Sequence, residues 1–344
     1  GKPRRGGDSS AVVHQLAGGV TALYSTYYAF AALKERGGVV TWGHSAHGGD
    51  SSAVEGQLVD GVVAVQCSFD AFAALTESGA VVTWGNPDNG GDCSSVADQL
   101  RQGIVALQSN HGAFAALASS GAVVTWGWAG MGGDSGGAAA ELAGGVASLH
   151  TTNHCALAAL KVDGAVVAWG NPELGGHLGP AAAQLRSGVR ALHANHGAFA
   201  ALKELGAVVT WGDPISGGDS RAVAEQLAEG VVSVSSNHGA FAALKAAGAV
   251  VSWGHPGRGG DSSAVRSQLG SGVVALHGWG HRRSHCCSNN HGAFAAVKED
   301  GSVVAWGSPD VGGALGSAGS QLTSGVLRVH ANNFAFAALC LRAA

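Results

Sequence analysis

Residues 240–254 read Ala-Phe-Ala-Ala-Leu-Lys-Ala-Ala-Gly-Ala-Val-Val-Ser-Trp-Gly, and this stretch decides the fold class. It begins with an apolar run that alternates in size, continues through a tight turn containing glycine, and closes with a valine-rich run that ends in Trp-Gly. This pattern predicts two antiparallel strands joined by a turn. A further strand is predicted over residues 231–234, where β-branched residues precede the turn-forming residues 236–239.

The same stretch recurs along the whole chain at a nearly fixed period. Trp-Gly pairs begin at Trp42, Trp84, Trp126, Trp169, Trp211, Trp253 and Trp306. Successive spacings are 42, 42, 43, 42, 42 and 53 residues, and the last gap contains an insertion. Eight copies of the Ala-Phe-Ala-Ala-Leu run or a close variant predict eight units, at about residues 1–42, 43–84, 85–126, 127–169, 170–211, 212–253, 254–306 and 307–344. We predict one repeat-array domain over residues 1–344 whose last unit is incomplete, as expected for a piece of a longer polypeptide.

Each unit is predicted to hold a helical turn and a three-stranded meander. Asp219 is placed to cap the helical turn and Gly230 to end it. Three short strands bury too little apolar surface to offset the chain entropy lost on folding, so neighbouring units must cover one another. We therefore predict an all-β fold, a β-propeller of about eight three-stranded blades, each with a short outer helical turn.

Alternatives to this architecture are seven blades with one overlapping copy, or an open superhelix. In the propeller, the alanine-rich strand is expected nearest the axis, with Phe and Trp in the wider wedge between blades.

Composition argues against several classes of function. The chain is rich in glycine, with 57 of 344 residues, but only 12% of residues are charged and the net charge is −4. Nucleic-acid binding depends on clustered cations, so we expect no nucleic-acid partner. No apolar run approaches the roughly 18 residues of a membrane span, so a soluble chain is expected. The sequence has no nucleophile motif or phosphate-binding loop, and we predict neither an enzyme nor a cofactor.

Other segments bear on the family. Residues 326–329 read Val-Leu-Arg-Val, residues 162–170 read Val-Asp-Gly-Ala-Val-Val-Ala-Trp-Gly, and residues 175–179 and 312–316 read Gly-Gly-His-Leu-Gly and Gly-Gly-Ala-Leu-Gly. Together they resemble the regulator of chromosome condensation repeat family of β-propellers. The shorter unit is similar to that of the propeller-type β-lactamase inhibitory protein. The family's functions range from nucleotide exchange on small GTPases to protein inhibition, so the resemblance implies a protein-binding surface without naming a partner.

Aspartate recurs directly after Gly-Gly and has two interpretations. A ring of such residues could bind calcium, but a turn cap requires the same residue at the same place, and no second carboxylate stands nearby in the unit. We favour the cap. The residues are Asp8, Asp50, Asp92, Asp134, Asp219 and Asp261.

Histidine recurs in the turn before the Phe-containing strand, as in Asn110-His111 and Asn237-His238. These imidazoles could bind metal or sense pH, but we favour turn residues that hydrogen-bond the backbone of the adjoining blade. The insertion holds further ligand types for zinc or copper. They are His277, His281, His285, Cys286 and Cys287. A plain surface loop is the preferred interpretation here, and no metal is predicted.

The residues between each Trp-Gly and the following Gly-Gly differ most between copies. Repeat proteins place recognition in variable loops on one face. The candidate partner-binding residues are Arg4, Arg5, His47, Asp88, Trp128, Met131, Ile215 and Arg258, together with Trp279 in the insertion. We predict a non-enzymatic scaffold that binds an unidentified protein through these loops. The alternatives are a propeller that binds a small ligand or glycan and, by family analogy, a guanine-nucleotide-exchange-like regulator; the compartment is not determined.

Overall fold

Small antiparallel sheets repeat along the chain in the computed structural model, which describes residues 6–152, 154–278, 292–332 and 334–341. In each three-stranded sheet the second strand pairs with both others. The chain divides into two compact parts, each holding several sheets. From here on, the first unit and the second unit mean these two parts and not the sequence repeats. The first comprises the described residues through Asp163 with Val167–Pro172, and the second comprises Gly164–Val166 with the described residues from Glu173 onward.

Sheets 1 to 4 contain strands β1 to β12. Their bounds are Val20–Ser25 (β1), Ala29–Lys34 (β2), Val39–Gly43 (β3), Val62–Cys67 (β4), Ala71–Thr76 (β5), Val81–Gly85 (β6), Ile104–Ser109 (β7), Ala113–Ala118 (β8), Val123–Gly127 (β9), Val146–Thr151 (β10), Ala156–Lys161 (β11) and Val166–Gly170 (β12).

Sheets 5 to 8 contain strands β13 to β23. Their bounds are Val189–Ala194 (β13), Ala198–Lys203 (β14), Val208–Gly212 (β15), Val231–Ser236 (β16), Ala240–Lys245 (β17), Val250–Gly254 (β18), Val273–His277 (β19), Ala293–Lys298 (β20), Val303–Gly307 (β21), Val326–Ala331 (β22) and Phe336–Cys340 (β23).

Over the residues that the structure describes, helical structure is confined to short segments that precede sheet 1 or lie between sheets. One α-helical turn, α1, spans Val13–Leu16. A π-helical turn spans Pro214–Gly218. The remaining segments are 3₁₀ turns: Ser10–Val12, Ser45–His47, Ser52–Gln57, Pro87–Asn89, Ser94–Leu100, Ala129–Met131, Gly136–Ala138, Glu141–Ala143, Pro172–Leu174, Gly179–Leu185, Arg221–Val223, Pro256–Arg258, Ser263–Val265, Pro309–Val311 and Gly316–Gln321.

The predicted fold class is confirmed: the chain is all-β and built of propeller-type blades. Eight sheets are present rather than seven, and over the described residues the eighth has two strands. One expectation was wrong, because the alanine-rich strand is the middle strand of its sheet, as β5 is between β4 and β6. Its alanines are buried since neighbouring sheets cover both faces of this strand.

Consecutive sheets within a unit pack face to face through complementary surfaces. Ala71, Ala73 and Leu75 of β5 form a small face that meets Phe114 and Trp126 of sheet 3. The alternation of strand residues puts the two sets on opposite faces, so each sheet offers alanine to one neighbour and aromatic rings to the other. The sequence Ala-Phe-Ala-Ala-Leu therefore encodes both halves of a sheet-to-sheet seam.

In sheets 1 to 7, the tryptophan of the third strand also donates one hydrogen bond to the first glycine of the Gly-Gly that precedes that sheet. Trp126 stacks on Phe114 with ring centroids 5.3 Å apart, and its Nε1 donates at 3.1 Å to the carbonyl of Gly90, which lies in the loop after sheet 2. Gly90 has φ +92°, and a Cβ there would lie 2.5 Å from Phe114 Cδ2. The Gly-Gly that follows one sheet and the Trp of the next sheet thus form one interlocking contact, which explains why both recur at the same period.

Candidate partner-binding face

Two loops of each sheet meet at one end of it. The turn between the first and second strands and the loop after the third strand share this end because alternate strands of a meander run in the same direction. Asn110 Nδ2 donates to the Met131 carbonyl at 2.7 Å, and Ser68 Oγ donates to the Asn89 carbonyl at 2.9 Å. We call this end of the sheets the loop face.

The variable loops share one backbone conformation. In the first unit, Gly91 N donates to Asn86 O at 2.8 Å and Gly133 N donates to Trp128 O at 3.0 Å. In the second unit, Gly218 N makes the same bond to Asp213 O at 2.8 Å. Each bond closes a helical turn that ends in a glycine with positive φ. Side chains change from loop to loop while the backbone that presents them stays the same.

A chain of main-chain hydrogen bonds links the turns of successive sheets. In the first unit, Tyr27 N donates to Phe69 O at 3.0 Å, and Phe69 N donates to His111 O at 2.8 Å. His196 N donates to His238 O at 3.2 Å in the second unit. The turn residues therefore bond the backbone of the adjoining sheet, as favoured from the sequence, although the donor is the main-chain N–H and not the imidazole.

The side chains of these turns form a row of rings. Phe69 and His111 have ring centroids 5.6 Å apart, and His111 and His154 have centroids 4.3 Å apart. Burial lowers the pKa of His111 to about 4, with His154 as the second cause, and burial also lowers the pKa of His154. Over the part of the chain that the structure describes, no group of three or more His, Cys, Asp or Glu side chains could hold a metal ion.

His47, one of the predicted partner-binding residues, takes part in a polar chain across sheets 1 and 2. Its Nδ1 lies 2.6 Å from Asp70 Oδ1, and its ring packs 4.7 Å from that of Tyr28. The second oxygen of Asp70 accepts a hydrogen bond of 3.3 Å from Asn89 Nδ2. Asp70 is buried, so it positions His47 and Asn89 rather than meeting solvent. These contacts fix two adjacent loops of the loop face relative to each other.

Trp128 and Met131 cover the turn of sheet 3. A Cβ added to Gly112 would come within 2.8 Å of Met131 Sδ and 3.3 Å of both Asn89 Oδ1 and Trp128 Cβ. The glycine is therefore needed for side chains of two loops to converge above it. Trp128 nevertheless remains 55% exposed.

Beside Trp128 lies an open groove of about 750 Å³. Two loops and the segment after the first loop form it, so that Asp88 and Trp128 face a common space. The lining residues are Asn86, Pro87, Asp88, Asn89, Asp92, Ser94, Ser95, Gly127 and Trp128. This groove unites two of the residues that the sequence assigned to partner binding.

Two more predicted residues lie on the loop face of the second unit. Ile215 is 67% exposed at the tip of its loop, and Asp213 holds the loop by accepting hydrogen bonds from the main-chain N–H groups of Ile215 and Ser216. Arg258 is half-buried, and its guanidinium contacts His238 Nδ1. Nδ2 of Asn237 binds the Arg258 carbonyl at 2.6 Å. Ile215 is thus available to a partner, whereas Arg258 is engaged within the face.

Several predicted residues lie outside the described residues. They are Arg4, Arg5, Trp279, His281, His285, Cys286 and Cys287. His277 is described: it ends β19, and burial first and then His330 lower the pKa of its imidazole. The surface loop favoured for the insertion therefore stays a prediction.

The recurring aspartates accept main-chain hydrogen bonds in turns, as favoured from the sequence. The sequence predicted them as the N-cap residues of the helical turns, but each stands one position before the N-cap. Asp92 Oδ1 accepts from Ser94 N at 2.8 Å, whereas the N-cap of the following 3₁₀ turn is Cys93. Asp219 accepts from Arg221 N at 3.0 Å in the same way. Hydrogen bonds from the Arg221 side chain and then its backbone lower the pKa of Asp219 to about 2.

Asp70 and the groove residue Ser94 were not assigned to the site from the sequence. One clue existed for Asp70, since it stands where most other repeats carry the turn glycine that Gly112 represents. Asp70 pairs with His47 because two consecutive sheets are in contact. The repeat pattern alone does not specify which side chains meet across that contact.

Comparison with known proteins gives similarity of structure only. No protein-family model matches the chain. No curated protein matches it either. Over the residues described, no helix is both long enough and apolar enough to cross a membrane.

Solved structures similar to the chain include yeast RCC1 (Prp20), at 16% identity over 68% of this chain and 70% of that one, with a TM-score of 0.41. Human WBSCR16 is 17% identical over 75% of this chain and 85% of that one, with a TM-score of 0.42. The receptor kinase CR4 ectodomain of Physcomitrella patens is 14% identical over 84% of this chain and 73% of that one, with a TM-score of 0.42. These likenesses carry no information on what this chain binds. The neighbours do include RCC1 and other β-propeller proteins, the repeat type that the sequence resembles.

Proposed function

We propose that the protein is a non-enzymatic scaffold that binds a protein partner through its loop face. The observation that carries the proposal is the combination of a constant loop backbone with changing side chains. The loops after sheets 1, 2, 3, 5, 6 and 7 are closed by the same type of glycine hydrogen bond, while Asp88 and Ile215 lie on the helical turns of two of these loops and Trp128 directly precedes that of a third. Recognition requires different side chains to be presented in fixed positions, and these loops do so.

Rigid presentation favours affinity because little conformational entropy is lost when a partner binds. The Asn110 and Asn195 amides, each hydrogen-bonded to a loop carbonyl, hold two of the loops in place. Exposed apolar side chains on such a frame supply contact area, and tryptophan is enriched among residues that dominate binding energy. Trp128 and Ile215 are therefore the main candidates for contacts to a partner.

The proposal is tested with a pair of variants in sheet 5. Ile215 and Leu205 are both exposed, but Ile215 follows β15 on the loop face and Leu205 precedes that strand at the other end of the sheet. Proteins captured from the native source by the wild-type chain are quantified by mass spectrometry and compared with those captured by Ile215→Ser and Leu205→Ser.

We expect Ile215→Ser to reduce capture of a specific protein several-fold, and Leu205→Ser to leave it unchanged. Trp128→Ala serves as an independent variant of the first unit. Equal capture by wild type, Ile215→Ser and Trp128→Ala would show that the loop face is not the binding surface. Loss of capture with Leu205→Ser alone would move the surface to the opposite end of the sheets.

A small ligand or glycan is the second candidate, and the groove beside Trp128 favours it. An exposed indole with the side chains of Asn86 and Asn89 offers a stacking surface and hydrogen-bonding groups for a sugar ring. Binding of oligosaccharides that is lost in Trp128→Ala, without any captured protein, would support this alternative. The exchange-like regulator remains a prediction from the family resemblance.

A further inference from the structure

The groove beside Trp128 combines an exposed aromatic face with negative charge. Asp88 and Asp92 both line it, both are exposed, and its lining contains no lysine or arginine. Two carboxylates without a lining cation produce a negative local potential, which attracts a cationic group from solvent. A ligand of this groove must therefore carry positive charge for the two carboxylates and cover the ring of Trp128 at the same time.

Both carboxylates have capacity to accept hydrogen bonds from a ligand. Asp92 Oδ1 accepts from Ser94 N, and the main-chain N–H of Asp88 donates to Asn86 Oδ1. The first contact uses one of the two carboxylate oxygens of Asp92, and the second fixes the backbone from which the Asp88 side chain extends. The acidic groups therefore project from a loop whose main chain is held in place.

Besides the carboxylates, the groove offers a cation the aromatic ring of Trp128. Its side chain is 55% exposed, while its main-chain N–H is held by Gly112 O at 2.8 Å. An indole has the most favourable ring face for a cation, and a guanidinium can stack on it while its edge donates to carboxylates. An ammonium group is a compact point charge and would use the ring and the two carboxylates less well.

We propose that this groove binds an arginine side chain presented by an extended segment of the partner protein. The volume of about 750 Å³ is larger than one side chain, so residues flanking the arginine also fit. The guanidinium stacks on Trp128 and donates to Asp88 and Asp92, and the asparagine amides bind the main chain of the segment. This proposal rests on protein binding by the loop face and assigns its chemical specificity.

The test uses the full chain labelled with 5-fluorotryptophan and observed by ¹⁹F NMR. The Trp128 resonance is assigned by its absence from Trp128→Phe. The probe is the peptide acetyl-Gly-Gly-Arg-Gly-Gly-amide, compared with peptides that carry citrulline or lysine in place of arginine. Citrulline keeps the shape of arginine but removes its charge, so it isolates the contribution of the cation.

We expect the arginine peptide to shift the Trp128 resonance in a saturable way, with affinity about fivefold or more above that of the citrulline peptide. Asp88→Asn should weaken the arginine peptide about two- to fivefold. Asp98→Asn is the matched control, because Asp98 pairs with Arg101 outside the groove. It should leave the affinity unchanged, and an unchanged melting temperature in both variants shows that they are folded.

Equal binding of the arginine and citrulline peptides, or equal affinity in Asp88→Asn and wild type, would overturn the proposal. So would a Trp128 shift caused by chitobiose and not by the arginine peptide, which would assign the groove to a sugar. These results are separable from failure of the proposed function. If Trp128→Ala loses a captured protein while the arginine peptide does not bind, the loop face binds a protein by other chemistry.

Discussion

Trp126 and Trp128 are separated by one residue yet belong to two different parts of the molecule. Trp126 is the next-to-last residue of β9, is 2% exposed, and donates its indole N–H to the carbonyl of Gly90 in the loop after sheet 2. Trp128 begins the following loop and is 55% exposed. The first recurs in nearly every repeat, and the second occurs in only one. The same residue type thus stabilises a seam at one position and is free for recognition at the other.

This difference follows from where each side chain lies relative to the sheet. A seam requires a large ring opposite the alanine face of the preceding sheet, and its geometry repeats because the strands repeat. On the loop face, only the backbone conformation of the loops must stay the same. It is held by the hydrogen bonds of the Asn110 side chain, which we call the clamp, and by the glycine that closes the turn. Side chains there can change without loss of packing. The molecule therefore separates what holds it together from what it can bind.

The largest expected effect comes from truncating the two tryptophans separately. Trp126→Ala should lower the free energy of unfolding by about 3–5 kcal/mol, because it removes a buried ring, its stacking on Phe114 and its hydrogen bond. Trp128→Ala should change it by less than about 0.5 kcal/mol. Urea unfolding followed by circular dichroism measures both. Similar losses in the two variants would contradict the division between seam and loop face.

A smaller effect is expected at the clamp that joins the two regions. Asn110 is buried, and its Oδ1 accepts from Gly112 N and Ala113 N while its Nδ2 donates to Met131 O. Asn110→Ala leaves these groups without partners and should cost about 1–3 kcal/mol. The measurement is the same urea titration, with loss of partner binding expected when the loop is no longer held.

Asn110→Ser is the matched control for this change. Ser68 performs the equivalent role in sheet 2, where its hydroxyl contacts Ala71 N and Asn89 O. We therefore expect Asn110→Ser to lose clearly less stability than Asn110→Ala. If the two variants were equally unstable, the hydrogen bonds of the clamp would not be the source of the effect.

The repeat structure could be predicted from the sequence because its causes are local or periodic. Turn glycines, valine-rich runs and the spacing of Trp-Gly specify strands, hairpins and the number of sheets. The position of the alanine-rich strand was predicted wrongly, since a run of small residues indicates close approach but not from which side. In the structure the approach comes from sheets on both faces of the middle strand.

The loop face was predictable only in part. Variation between copies pointed to Asp88, Trp128 and Ile215, because it is visible in the sequence itself. The contacts between His47, Asp70 and Asn89 were not, since they join residues of different repeats whose side chains must be placed in space. Arg258 was predicted to bind a partner as Ile215 was, but its contact with His238 engages it within the face.

The smallest effect concerns pH and the row of rings beneath the loops. Burial holds the pKa of His111 at about 4 in the folded protein, below its ordinary value of 6.5. The folded protein therefore favours the neutral form of His111. The contribution of His111 to the free energy of unfolding is fully present above pH 6.5 and is lost as the pH falls from 6.5 through 4. His111→Phe should remove this loss, since Phe69 shows that the row accepts a phenyl ring. The excess of protons bound by the unfolded state should fall by up to about one.

Melting temperatures measured from pH 7 to pH 4.5 should then decline less steeply in His111→Phe than in the wild type. Phe69→His adds a buried imidazole next to His111 and should make the decline steeper. Parallel curves for all three proteins would show that the row of rings does not control the acid sensitivity of the fold.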